Sequence, residues 1–186
     1  SASFEPGGPP AGDHPELRAA SFTTGGTGEV RGWEDRLLGP KVPNILYAQV
    51  GDSYVPRAEG YVPVGGFGRG LFSVDLRLPF PWLGPNFGSR LYLDGGRVWS
   101  NDARFGLEGD PNGQEKLFMA AGTGIDLRTP VGPVETSIAY KLNPSITDLV
   151  DASDMLLAVQ EGRPIESLPR RNGRRWQFHL AIGTSF

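Results

Sequence analysis

From Gly65 onward, apolar and polar residues alternate along five segments, and a period of two is the mark of a strand whose faces meet different surroundings. In the first, Gly68–Leu78, Phe72, Val74, Leu76 and Leu78 point one way and Ser73, Asp75 and Arg77 the other. In the second, Ser89–Val98, Leu91 and Leu93 oppose Arg90, Tyr92 and Asp94. The third, Lys116–Arg128, sets Leu117, Met119, Ala121, Ile125 and Leu127 against Lys116, Gly122, Gly124, Asp126 and Arg128. The fourth, Val134–Leu142, separates Val134, Ile138, Tyr140 and Leu142 from Glu135, Ser137, Ala139 and Lys141. The last, Arg174–Phe186, places Trp176, Phe178, Leu180, Ile182 and Phe186 opposite Arg175, Gln177, His179, Ala181, Gly183 and Ser185. Residues 1–64 carry no sustained period and read as one long structured loop.

The connections predict how these strands are threaded. Residues 79–88 and 129–133 are short, whereas 99–115 and 143–173 are long, so the rims of the sheet differ. Tight turns on one rim and long loops on the other are the habit of outer-membrane barrels. Within the longest loop, Ser153–Gly162 reads as a short helix with Ser153 as N-cap and Gly162 as C-cap. A membrane barrel turns its apolar set toward lipid and its polar set toward a wet interior, and glycines beside Asp and Arg suit a crowded lumen. Trp82, Trp99 and Trp176 fall near strand ends, where an aromatic girdle forms. The expected fold is therefore all-β: the C-terminal portion of a transmembrane β-barrel, with about five antiparallel strands over 65–186 and a long loop over 1–64. Five strands cannot close such a barrel, since about eight are needed. Other sequence, upstream or in another chain, or further copies of this one, must complete it, because an open edge in lipid leaves backbone groups unsatisfied.

Composition narrows the function. The 186 residues include 27 Gly, 17 Pro and no Cys, with a net charge of −3. No cysteine means no disulfide scaffold, thiolate metal site or thiol nucleophile, and near-neutrality argues against nucleic acid as a partner. The start SASFEPGGPPAGDHPE has neither a basic beginning nor an apolar core, which for an exported protein predicts a processed or incomplete chain. His14 and His179 lie far apart without ligand spacing, so neither a metal, a cofactor nor enzymatic chemistry is expected. Gly65–Gly70 (GGFGRG) lacks the Gly-Lys-Ser/Thr and following helix of a phosphate loop. Arg170, Arg171, Arg174 and Arg175 form the one dense basic cluster, a solvated loop or a contact for anionic lipid headgroups at the outer rim.

Five stretches in order resemble the bacterial surface antigen family, the BamA-type outer-membrane assembly and translocation barrels. They are Phe22–Trp33 (FTTGGTGEVRGW), Asp75 on the first strand, Leu93–Trp99 (LDGGRVW), Arg128–Pro133 (RTPVGP) and Ile182–Phe186 (IGTSF), spread across roughly residues 20–186. Asp75 stands where relatives often carry Glu, Trp33 ends a tip that elsewhere ends in Phe or Tyr, and residues 36–60 match nothing familiar. The resemblance implies that the loop folds into the lumen and that Arg31 pairs with Asp94 and Asp75, a bidentate arrangement open to guanidinium but not to lysine. Gly32 would let the chain turn sharply beside it. This clamp either stabilises the barrel or takes part in gating. The same resemblance makes the last strand, with Trp176, Phe178, Leu180, Ile182 and Phe186, an assembly signal, and Gly183 the kink-permitting residue of a weak seam. It further implies location in the outer membrane of a Gram-negative cell rather than an organelle, and non-covalent strand insertion through the seam by β-augmentation. Its partners would be outer-membrane lipids, unfolded outer-membrane protein clients, upstream periplasmic domains and accessory lipoproteins. A secretion or translocation pore of the same family, and a purely structural barrel segment, stay open as alternatives.

Overall fold

A computed structural model describes residues 22–79, 84–99, 113, 115–130 and 132–183. It holds a two-stranded sheet, β1 (Lys41–Val50) with β2 (Ser53–Pro63), and a five-stranded antiparallel sheet. The larger sheet runs β3 (Gly68–Pro79), β4 (Phe87–Trp99), β5 (Phe118–Thr129), β6 (Gly132–Lys141) and β7 (Trp176–Ile182), each paired with its sequence neighbour. These are the five alternating segments, with β7 shorter because residues 172–175 wind into a 3-10 turn before it. On one rim β3 gives way to β4 and β5 to β6, and on the other β4 to β5 and β6 to β7. Register is continuous, from Gly68 opposite Trp99 through Asp126 opposite Glu135 to Ile138 opposite Phe178.

Burial along these strands is inverted relative to a water-soluble sheet. Tyr92, Asp94, Ala139, Lys141 and His179 are buried, while Val74, Leu91, Ile125, Phe178 and Ile182 are exposed, Phe178 at 63% and Ile182 at 71%. In water, that apolar surface would cost about 25 cal/mol per Å². Turned toward hydrocarbon it costs nothing, so the outward face is a lipid face and the buried charged face is the barrel interior. Inside, Arg90 ties three strands together, donating to Asp126 on β5 at 2.6 Å and reaching Glu135 on β6 at 2.9 Å. Trp176 opens β7 at the long-loop rim and packs edge-on against Tyr140, with ring centroids 4.8 Å apart; Trp99 ends β4 at the same rim. Trp82 and Phe186 lie outside the described residues.

The hairpin is a departure from the single long structured loop, without strands, expected over residues 1–64. Its register slips between Pro43 and Ile45, and Pro56 and Pro63 fall within β2, so no face keeps a clean alternation. The long-loop rim builds a small core of its own against it. Helices α1 (Ile146–Leu149) and α2 (Ala152–Gln160) bring Val150, Met155 and Ala158 together with Leu168, and Tyr61 of β2 joins them. The α2 N-cap is Asp151, not Ser153, and its C-cap is Glu161, not Gly162, which follows one residue later with φ +65°. The Asp151 carboxylate makes no capping hydrogen bond of its own; Arg171 and Arg174 both bind it and tie the helix start to the segment before β7.

Candidate functional site

The chain enters the interior between Thr24 and Leu38. Gly25 and Gly26 adopt φ of +124° and +99°, conformations closed to most side chains, and they turn the loop. A hydrogen bond from Gly26 N–H to the Trp33 carbonyl at 3.1 Å then closes a compact tip. Val30 and Trp33 are wholly or almost wholly buried, packed with Leu38, Val98, Phe118 and Ala120.

At the apex, Arg31 makes the contacts the resemblance implies. Its Nε and Nη2 donate to the two oxygens of Asp94, each at 2.7 Å. Nη1 and Nη2 donate to Asp75 at 3.0 and 3.2 Å, and Nη2 also reaches Ser73 Oγ at 3.2 Å. The Arg31 backbone N–H donates to Asp94 as well, at 3.0 Å. Asp94 is fully buried, so its charge relies on these donors and on the Ser73 hydroxyl at 2.7 Å. Tyr92 lies under the guanidinium, 3.5 Å from its carbon to the ring centre, adding a cation–π contact. One planar cation thus joins β3 and β4, a geometry a lysine ammonium cannot reproduce.

Gly32 serves differently from the expected sharp turn, for its φ lies outside the positive range. The tip backbone presses on β5 so closely that a Cβ there would stand 2.5 Å from the Ala120 Cβ. Glycine is required by proximity, not by torsion. Trp33 continues across the sheet, edge-on to Phe118 of β5 at 5.3 Å and beneath the Lys141 ammonium of β6 at 5.6 Å. Its indole N–H donates to Asp148 at 2.9 Å.

Asp148, Lys41 and Trp33 form a second polar centre that the sequence did not disclose. Asp148 accepts from the Ser145 N–H at 2.6 Å and hydroxyl at 2.7 Å, and pairs with Lys41, which also donates to the Leu37 carbonyl at 3.0 Å. Burial alone would push the Asp148 carboxyl up, but Lys41 and Lys141, with the Lys41 and Ser145 hydrogen bonds, outweigh it and hold it below the ordinary aspartate range. A depressed folded value means that its stabilisation is complete above the unfolded pKa of about 3.9 and is lost as pH falls through the folded value. Acidification below about pH 4 is therefore expected to open the loop at residues 142–175 to pepsin, with Asp148→Asn already open at higher pH.

The remaining expected residues divide. His179, on the inward face of β7, binds the Arg31 carbonyl through Nε2 and lies 3.4 Å from Thr27 Oγ1 through Nδ1. Gly183 donates its N–H to the Pro133 carbonyl at 2.9 Å, and a Cβ there would meet the Pro133 ring at 3.2 Å, so it stays bonded to β6. Trp176, Phe178, Leu180 and Ile182 form an outward apolar row. In the basic cluster, Arg171 and Arg174 hold Asp151, Arg175 lies 5.9 Å from the Tyr140 ring centre, and Arg170 is exposed. His14 lies outside the described residues.

A sheet with a lipid face, a charged interior and a loop seated in that interior defines part of the wall of a transmembrane β-barrel of the outer membrane. The chain belongs to the Omp85 superfamily: the Omp85 superfamily domain matches residues 17–186. It is also similar to the outer membrane protein assembly factor BamA of Neisseria meningitidis serogroup B, 30% identical over 147 residues. That match covers 69% of this chain and 17% of the relative, so the chain corresponds to a small part of that protein's length.

Proposed function

We propose that this chain forms the seam-bearing wall of a factor that inserts and folds outer-membrane proteins. The observation that carries the reading is Arg31 seated on Asp94 and Asp75 inside a sheet whose outward face is apolar and whose terminal strand, β7, carries the row Trp176, Phe178, Leu180 and Ile182. The clamp holds the loop in the lumen and the wall in register. In the closed barrel β7 would meet a strand supplied from outside this chain, and where that seam opens an incoming strand adds by main-chain hydrogen bonding, without covalent chemistry. Similarity to a protein named an outer membrane protein assembly factor supports the choice of client. Arg170, exposed at the long-loop rim, suits anionic lipid headgroups.

The test uses the full-length protein in liposomes together with an unfolded outer-membrane barrel. This chain has no cysteine, so in a full-length protein whose remaining cysteines, if present, are replaced by serine, single cysteines at Gln177 and Ala181 of β7 report contact with the client. Faster client folding together with disulfide cross-links from β7 is the expected result. Export of a passenger with no acceleration of folding would instead place the protein among secretion pores, and neither activity would leave a structural barrel segment.

A further inference from the structure

We infer that His179 is a positioning residue that latches the loop tip to the terminal strand, so that the tip and the seam strand move as one unit; this rests on the seam reading above. Among the described residues, both hydrogen bonds that join the tip to β7 pass through this one imidazole. The Arg31 carbonyl can only accept, so Nε2 carries the proton and donates to it. Nδ1 is then left to accept from the Thr27 hydroxyl, 3.4 Å away. One ring therefore grips both ends of the turn that presents Arg31.

Two features make this a coupling and not merely a packing contact. First, the residue gripped is Arg31 itself: its side chain is fixed to β3 and β4 while its carbonyl is fixed to β7, on the far side of the sheet. A displacement of β7 is transmitted to the residue that holds the opposite strands. Second, β7 has little else to hold it from within. It pairs with β6, where Ser137 faces His179, and its apolar set points out to lipid. His179 is its one buried residue among those described in the strand. The latch therefore joins the two ends of the described sheet, β3 and β4 through the Arg31 side chain and β7 through its carbonyl.

The chemistry also sets which substitutions preserve the link. The reach from the Cα matters: a glutamine amide nitrogen sits close to where Nε2 sits, whereas an asparagine amide nitrogen stops near Nδ1. His179→Gln keeps a donor for the Arg31 carbonyl; His179→Asn and His179→Ala do not.

Hydrogen exchange with mass spectrometry on the full-length protein in lipid nanodiscs tests this directly. The peptides read are those covering the tip, residues 27–33, and β7, residues 176–182. Loss of one buried hydrogen bond corresponds to an increase in local opening of about fivefold to tenfold. His179→Ala and His179→Asn are expected to show that increase at both places together, and His179→Gln to restore both. Equal exchange in the glutamine and asparagine variants would overturn the latch, as would faster exchange at the tip with β7 unchanged. The glutamine and asparagine variants are alike in polarity and bulk, so their comparison holds even if the alanine variant folds poorly. Client folding is measured on the same samples. Coupled exchange with unaltered client folding keeps the latch and removes the seam-insertion reading, whereas uncoupled exchange removes the latch alone.

Discussion

Replacing Asp94 by alanine is expected to cost about 3–5 kcal/mol, the penalty for stripping a buried ion pair of one partner. Arg31 would keep its charge in the interior with Asp75, which is partly solvated, as its remaining acid. The backbone N–H of Arg31 loses its acceptor in the same substitution. The measurement is the denaturant midpoint of the full-length barrel in lipid, followed by the heat-dependent gel mobility of the folded form. Arg31→Ala removes the cation instead and leaves Asp94 buried without a guanidinium, a loss of the same kind. Since the two groups act as one unit, the double variant is expected to be little worse than either single. Losses that add in full would mean that Arg31 and Asp94 contribute independently, against the geometry.

A methyl group on Gly32 is the smallest change with a comparable effect. The added Cβ would lie 2.5 Å from the Ala120 Cβ, well inside contact distance, while its next neighbour, the Lys141 Cγ, stands at an ordinary 3.5 Å. The clash is thus with a single methyl, and the backbone of β5 leaves it nowhere to go. Forcing extra volume into a packed site costs about 1–3 kcal/mol, and here the strain falls on the tip that carries Arg31. Gly32→Ala is expected to raise protease cleavage near residues 25–35 and, under the insertase function proposed above, to slow client folding about tenfold. Ala120→Gly removes the opposing methyl and should restore most of both in the double variant. If Ala120→Gly gives no relief, the requirement for glycine at 32 has a cause other than this approach.

Much of the wall was legible because a sheet between lipid and a wet lumen imposes the plainest of patterns. Charges and glycines on one side of β3 to β6, and aliphatics on the other, gave strand, face and threading together. Arg31, Asp75 and Asp94 were legible for a further reason, since two acids on inward positions need a cation and the resemblance supplied one. Phase also put His179 inward, but nothing in a period of two names a partner 148 residues away. The hairpin β1–β2 was hidden by its prolines and by having no uniformly buried face to impose alternation. Asp148 was hidden for the same kind of reason: Lys41 reaches it from the start of β1 and Trp33 from the loop tip, at separations of 107 and 115 residues, where no repeat relates the residues. Gly32 was found, but for the wrong reason, because sequence shows that a residue is small and not what stands opposite it.

The tip touches every strand of the larger sheet: β3 and β4 through the Arg31 side chain, β5 through Gly32, β6 through Trp33 and β7 through the Arg31 carbonyl. That breadth has a consequence for the order in which the molecule is made. The partners of Arg31 lie 44, 63 and 148 residues further along the chain, so the tip leaves the ribosome before any surface exists to receive it. Neighbouring strands close short loops and form early, whereas seating the tip requires much longer closures. The loop is therefore expected to wait as an unseated tether while these five strands pair, and to dock after them. Until β7 arrives, the seat is missing one side, which makes the seated tip a structural record that the last strand is in place.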